Sequence, residues 1–249
     1  MIKNLLKKFV NRWVLPYGST APILHGACRG MRFRVTPESG YSMMLGYERD
    51  HQRFIVPKVR PGMTVYDIGA NVGQYALLFS RLVGPTGRVI SFEPFPPAFE
   101  RLEENVKLND IRNVTALNLA LADQTGQLSF STAPGASSMG KLSNVELTFE
   151  NAANPKIQVE TDRLDNIVSR YGAPDLLKID TEGAAAVILR GAKDTLRAHK
   201  PAVYIELHGP EEQSAVSALM REGYSFQDLD GQSVPDMSKW VTPLWGVHA

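Results

Sequence analysis

Four short stretches of this chain carry side chains whose types and spacing suit chemistry. Asp67-Ile68-Gly69-Ala70-Asn71-Val72-Gly73 follows a short apolar run and opens an amphipathic one. Glycines there let the backbone approach a ligand closely, and the first amides of a following helix present partial positive charge to an anionic group. Glu93, in Ser91-Phe92-Glu93-Pro94, ends the next apolar run, where a carboxylate can accept hydrogen bonds from both hydroxyls of a ribose. Further on, Lys178-Ile179-Asp180-Thr181-Glu182-Gly183 and Glu206-Leu207-His208-Gly209 each end an apolar run in charged or titratable side chains. The first two stretches point to an adenosine-containing ligand. The last two place carboxylates and an imidazole where protons can be moved beside it.

The glycine spacing separates the kinds of ligand. A dinucleotide fold expects G-x-G-x-x-G around a pyrophosphate, whereas this chain has G-x-x-x-G with Asp67 just ahead of the first glycine. A ligand end carrying both a carboxylate and an ammonium, such as the methionine end of S-adenosylmethionine, suits the turn better, because Asp67 adds negative potential beside the amides. Asp67, Gly69, Gly73 and Glu93 are then the expected contacts. The base belongs near residues 118–122, where small side chains such as Ala120, next to Leu121, permit close approach. The plain alternatives are a tight strand-to-helix turn and a surface glutamate ahead of prolines.

Asp180, Glu182, Glu206 and His208 form the expected reaction centre. Methyl transfer to a hydroxyl requires in-line approach of the oxygen to the sulfonium carbon and removal of the hydroxyl proton by a positioned base. His208 suits the base, since an unperturbed imidazole titrates near pH ~6.5. Lys178 shares a strand face with Asp180 and is expected to be half-buried and paired with a carboxylate such as Glu206. The competing reading is an ion-pair network that secures strand ends. Asp180, Glu182 and Glu206 could offer oxygen ligands to Mg²⁺, but no metal-ligand spacing demands it, so the metal stays open.

These residues need elements to hold them. Apolar runs at 64–67, 88–92, 114–119, 176–180 and 202–207 read as strands, and amphipathic runs at 72–83, 97–108, 184–190 with 192–198, and 211–222 read as helices. Near-continuous apolar strands separated by amphipathic helices predict an α/β fold with a mostly parallel sheet covered on both faces, and ligands at the carboxyl ends of its strands. Residues 1–60 read as an amphipathic helix followed by a cap, with a strand around 31–35 and a helical run over 47–59. The main domain spans 61–249. Within it, 126–161 breaks the alternation as a lid or an insert, with strands at 127–132 and 156–161.

A chain of 249 residues with 43% hydrophobic composition can bury a large core. The formal charge of +1 gives no global field for a polyanion, and the acceptor is expected not to be nucleic acid. The single cysteine, Cys28, can form no intrachain disulfide, in keeping with a cytoplasmic protein. In residues 1–14, Ile2, Leu5, Leu6, Phe9, Val10 and Trp13 alternate at helical spacing with Lys3, Lys7, Lys8 and Arg12. That segment suits packing on its own domain, dimerisation or peripheral membrane contact, and is too short to span a bilayer.

Val65-Tyr66-Asp67-Ile68-Gly69-Ala70-Asn71-Val72-Gly73, Phe92-Glu93-Pro94, Glu104-Asn105, Leu177-Lys178-Ile179-Asp180-Thr181-Glu182-Gly183, Arg190-Gly191-Ala192, and Pro201 ahead of Glu206 together resemble the FkbM-family methyltransferases. The resemblance runs from about Gly62 to His208. It implies a class I S-adenosylmethionine-dependent, Rossmann-like fold with a seven-stranded sheet, methylating a hydroxyl of a sugar, polyketide or other secondary metabolite. By position, Asp67, Gly69, Asn71, Gly73 and Glu93 would line the cofactor site, with Ala70 inside the same turn. One departure stands out: the family often carries another acidic residue shortly after Gly183, where this chain has Ala185 and Ala186. The expected activity is O-methyl transfer to a small-molecule or glycosidic hydroxyl. The alternatives are a non-catalytic adenosine-cofactor-binding protein and a nicotinamide oxidoreductase.

Overall fold

The computed structural model describes residues 16–35, 48–132, 140–142, 156–209, 212–239 and 241–248. The amphipathic segment 1–14, and residues 133–139 and 143–155 of the 126–161 stretch, lie outside them. Among the described residues no helix is long and apolar enough to cross a membrane.

The chain begins with a hairpin of β1 (Thr20–Pro22) and β2 (Arg32–Arg34), then α1 (Arg49–Ile55) and a 3-10 turn, Val56–Lys58. The alternation that follows is β3 (Thr64–Ile68), α2 (Gln74–Val83), β4 (Arg88–Phe92), α3 (Pro96–Lys107) and β5 (Val114–Leu117). Next come the short β6 (Ala120–Leu121), then β7 (Gly126–Thr132), β8 (Gly140–Leu142), β9 (Lys156–Asp162) and α4 (Leu164–Tyr171). The chain closes with β10 (Leu176–Asp180), α5 (Ala185–Arg190), α6 (Lys193–His199), β11 (Ala202–Glu206), α7 (Gln213–Arg221), β12 (Tyr224–Gln227), β13 (Ser233–Val234) and β14 (Leu244–His248). Prolines set two boundaries: α3 starts at Pro96-Pro97, whose fixed φ suits a first turn, and α6 stops ahead of Pro201.

The main sheet runs β13-β12-β14-β11-β10-β3-β4-β5. The five strands legible as apolar runs, β3, β4, β5, β10 and β11, are its mutually parallel members. Their burial explains their legibility, since β3 is buried at every position and β10 at all but its last. β14 enters antiparallel between β11 and β12. The sheet has eight strands rather than the expected seven, because the two-residue β13 pairs onto β12 at the edge. The described part of 126–161 forms an antiparallel sheet of β7 with β8 and β9, and β9 also pairs in parallel with β6.

Both sheet faces are covered. On one, Ile68, Phe92, Ile179 and Ile205 pack with Leu164 and Ile167 of α4, Ile188 of α5 and Val216 of α7. On the other, Val65, Val89 and Tyr204 pack with Leu77, Leu78 and Phe79 of α2. Ala21, Phe33, Val35 and Ile55 join that second cluster, so the hairpin and α1 share a core with the domain they adjoin. Polar staples add to this: the Arg34 amide donates to Asn105 Oδ1 at 2.6 Å and the Arg32 amide to Asn109 Oδ1 at 2.7 Å. Helix α1 brings His51 to within 3.6 Å of Glu206 at the carboxyl end of β11.

Candidate active site

The expected glycine turn forms directly after β3. Gly69 has φ 76°, Asn71 φ 50° and Gly73 φ 88°, a run of left-handed conformations that reverses the chain within one turn before α2 begins. A Cβ on Gly69 would lie 1.9 Å from the Asp180 carbonyl oxygen, so only glycine lets the turn pass the end of β10. The Gly69 and Ala70 amides both donate to the Phe92 carbonyl, at 3.0 and 2.9 Å, and the Asn105 side chain donates to Val72 O at 2.8 Å.

Glu93 ties this turn to the next one. Its Oε2 accepts the Asn71 amide at 2.8 Å and its Oε1 accepts the Phe95 amide at 2.9 Å. Burial pushes its carboxyl up to about 7, against the lowering effect of the Phe95 and Asn71 amides. The Asn118 side chain donates to the carbonyls of Glu93, at 2.9 Å, and Pro94, at 3.1 Å, which brings the chain after β5 to the same place. Three strand ends thus converge on Glu93, two through its carboxylate and backbone position and the third through its carbonyl. Ala120 and Leu121 follow as β6, both buried. The residues present fit an adenosine-type group: each Glu93 oxygen keeps a lone pair beyond its one amide, and Asp67 Oδ2 is fully buried with no hydrogen-bond partner.

The other two expected stretches meet at the ends of β10 and β11, where Asp180 and Glu206 are register partners. His208 Nε2 lies 2.7 Å from Asp180 Oδ1, and His208 Nδ1 lies 3.7 Å from Glu182 Oε2. Glu182 sits at φ 41°, beside Gly183 at φ 105°, a left-handed pair that turns the chain back over the strand end. Asp180 is held down at about 2, because Lys178 and His208 outweigh its burial. His208 is pushed up to about 9: burial opposes its charge, but Asp180, Glu182 and Glu206 prevail.

Lys178 differs from expectation in burial and in partner. It is 2% exposed rather than half-buried, and its Nζ lies 3.3 Å from Asp67 Oδ1 and 3.2 Å from Asp180 Oδ2 while donating to the Gly69 carbonyl at 3.1 Å. Register is the reason: the β3 partner of Lys178 is Asp67, while its β11 partner is Tyr204, with Glu206 further along. Burial alone would strip its proton, yet Asp180 and Asp67 hold it above the ordinary lysine range. Lys178 therefore links the glycine turn after β3 to the carboxyl end of β10.

Four residues that no motif announced complete this end of the cleft. Glu48 and His51 come from the start of α1, Tyr75 from α2 and Tyr204 from β11. His51 Nδ1 lies 3.6 Å from Glu206 Oε2 and 3.7 Å from Glu48 Oε2, and the Tyr75 hydroxyl donates to Glu48 Oε2 at 2.8 Å. Lys178 Nζ stands 5.0 Å from the centre of the Tyr75 ring, a cation–π distance. Burial, with Asp180 and Glu48 near it, pushes the Glu206 carboxyl up to about 7. The absence of an acidic residue after Gly183 is offset from elsewhere: Glu212, 1% exposed, accepts the Ala185 amide at 2.9 Å and the His208 amide at 2.8 Å. The carboxylate at the start of α5 comes from the chain ahead of α7.

Known proteins resemble this chain in sequence and fold. Over 177 residues the chain is 25% identical to the hexuronic acid methyltransferase AglP of Haloferax volcanii, covering 70% of this chain and 68% of that protein. Over 158 residues it is 29% identical to the 2-O-methyltransferase NoeI of Sinorhizobium fredii, covering 59% of this chain and 64% of that one. The crystal structure of a methyltransferase FkbM from Methylobacillus flagellatus superposes with a TM-score of 0.52 at 17% identity, over 83% of this chain, which spans 52% of that protein. At that identity the likeness concerns the fold. The methyltransferase FkbM domain itself matches residues 67–232, from the buried aspartate of the glycine turn to beyond β12, and the chain belongs to the FkbM methyltransferase family.

Proposed function

We propose that this protein transfers a methyl group from S-adenosylmethionine to a hydroxyl of a sugar or secondary metabolite. The observation that carries the proposal is Lys178, a buried ammonium that joins the Asp67 to Gly73 turn on one side to the Asp180–His208 pair on the other. The glycine turn and a cluster of titratable side chains are thereby adjacent. The names of the relatives, a hexuronic acid methyltransferase and a 2-O-methyltransferase, support a sugar hydroxyl as acceptor.

When bound, the cofactor would supply an electrophilic methyl carbon on a sulfonium. Asp67, Gly69, Ala70, Asn71 and Gly73 would hold its amino-acid end, Glu93 the ribose hydroxyls, and Ala120 and Leu121 the surroundings of the base. Asp180, Glu182, Glu206 and His208 would orient the acceptor hydroxyl and handle its proton. Asp180, Glu206 and His208 present ligand atoms within 4.8 Å of one another, as do Glu48, His51 and Glu206. Both Asp180 oxygens already face cationic partners, Lys178 and His208, and we assign no metal there.

Calorimetry with S-adenosylmethionine, S-adenosylhomocysteine and NAD tests the cofactor. The expected result is binding of the first two and none of NAD, and NAD-selective binding would overturn the assignment. Transfer of isotopically labelled methyl to neutral and acidic sugars, read by mass spectrometry, tests the acceptor class.

A further inference from the structure

We propose that the proton of the acceptor hydroxyl is taken by Glu206, with His51 of α1 as its positioning partner and exit to solvent, while His208 is a standing cation. The proposal rests on the methyl-transfer reading above and deepens it.

Geometry separates the candidates. Each ring nitrogen of His208 faces a carboxylate oxygen, Asp180 at 2.7 Å and Glu182 at 3.7 Å. The 2.7 Å contact with Asp180 takes Nε2, and the three carboxylates around the ring, Asp180, Glu182 and Glu206, favour its doubly protonated form, which has no lone pair for a further proton. Asp180 has one oxygen on Lys178 and the other on His208. Held at about 2, it is too weak a base for the task. Glu182 is the most exposed of the three carboxylates, at 35% against 27% for Asp180 and 24% for Glu206.

Glu206 is placed differently. Across from it stand Glu48 and His51 from α1, with Asp180 and Lys178 from β10 and His208 just beyond its own strand. Ligand atoms of Glu48, His51 and Glu206 lie within 4.8 Å of one another, close enough for one oxygen standing off their plane to reach all three at hydrogen-bond distance. His51 Nδ1 is buried and makes no hydrogen bond, leaving it available to such a hydroxyl. The imidazole as a whole is 22% exposed, which provides the route to water. A carboxyl held near 7 also has the basicity that proton removal at neutral pH favours.

The step balances without any redox change. The acceptor oxygen forms a bond to the methyl carbon as the sulfur–carbon bond breaks and its electron pair passes to sulfur, leaving a neutral thioether. The hydroxyl proton goes to the Glu206 carboxylate and leaves through His51.

NMR pH titration of the full chain, carrying ¹³C in the histidine rings and glutamate carboxyls and free of cofactor, reads these protonation states directly. His51→Gln, His208→Gln, Glu93→Gln and Glu206→Gln assign the resonances. The expected result is a His208 midpoint above pH ~8 and a carboxyl midpoint between about 6 and 8 that disappears in Glu206→Gln and moves by about half a unit or more in His51→Gln. A His208 midpoint below ~7, or a Glu206 midpoint below ~5, would overturn the assignment, because the imidazole would then be the free base or the carboxylate too weak a one. Broadening of the His51 signal by micromolar Mn²⁺ would also overturn it, by making the cluster a cation site. Calorimetric failure of S-adenosylmethionine binding would instead remove the functional reading and leave these midpoints unaffected.

Discussion

Substitution of Gly69 by alanine tests whether the glycine turn owes its position to close backbone approach. The new Cβ would stand 1.9 Å from the Asp180 carbonyl oxygen, against about 3.3 Å for an ordinary carbon–oxygen contact, so about 1.4 Å of separation must be found. Neither side yields easily. The Gly69 and Ala70 amides are held by the Phe92 carbonyl, the Gly69 carbonyl by Lys178, and Asp180 by pairing with β11. Alanine in the left-handed region costs about 1–2 kcal/mol, and overpacking against backbone about 1–3 kcal/mol more. The expected loss is therefore about 2–5 kcal/mol in urea unfolding followed by circular dichroism. Gly30→Ala is the control, with φ 88° and nothing within 4 Å of the new Cβ, and should lose only the conformational part, about 1–2 kcal/mol. Gly73→Ala should fall between the two, since its Cβ meets the movable Cδ1 of Leu102 at 2.6 Å. Calorimetry should also show S-adenosylhomocysteine bound about tenfold or more weakly by Gly69→Ala alone, about 1.4 kcal/mol. A Gly69→Ala protein as stable as Gly30→Ala, with unchanged affinity, would refute the close-approach account.

Lys178→Met should destabilise the protein by about 3–5 kcal/mol at pH 7, because it leaves Asp67 and Asp180 without their shared ammonium. Stripped of that partner, the buried carboxyls should titrate upward and regain stability on protonation, so the deficit measured by urea unfolding should shrink as the pH falls. Glu93→Gln should weaken S-adenosylhomocysteine binding by about 1–3 kcal/mol in calorimetry, since an amide cannot accept as the carboxylate does on both oxygens. Equal affinity would show that Glu93 holds only the two backbone amides. For His208, a folded-state value of about 9 lies above its ordinary 6.5, so its contribution is complete below 6.5 and lost as pH rises through 9. Wild type and His208→Gln should therefore differ most in urea stability near pH ~6 and converge above pH ~10.

The clearly legible parts of this chain are those where burial imposes a pattern. β3, β4, β10 and β11 sit inside the sheet, and continuous apolar runs mark them almost to the residue. Helix α4 went unread because its eight residues follow β9 within an irregular stretch, with only Leu164 and Ile167 buried. The strands β12 and β14 escaped too, since antiparallel strands near a sheet edge bury fewer positions and show weaker runs. The short edge strand β13 leaves still less trace in composition.

In the site, the sequence by itself determined the glycine turn, Glu93, and the paired acidic ends of β10 and β11. Those features are local, because a left-handed turn needs glycine and a strand end presents its side chains at the sheet's carboxyl edge whatever surrounds it. The tertiary structure alone decided the pairings. Register set Lys178 against Asp67 instead of Glu206, and the packing of α1 on the second face of the sheet carried Glu48 and His51 to the mouth of the cleft. The fold of the chain back through Glu212 restored a carboxylate at α5 that the residues after Gly183 lack. Charge partners and proton affinities depend on distances between elements remote in sequence, and only folding sets those distances.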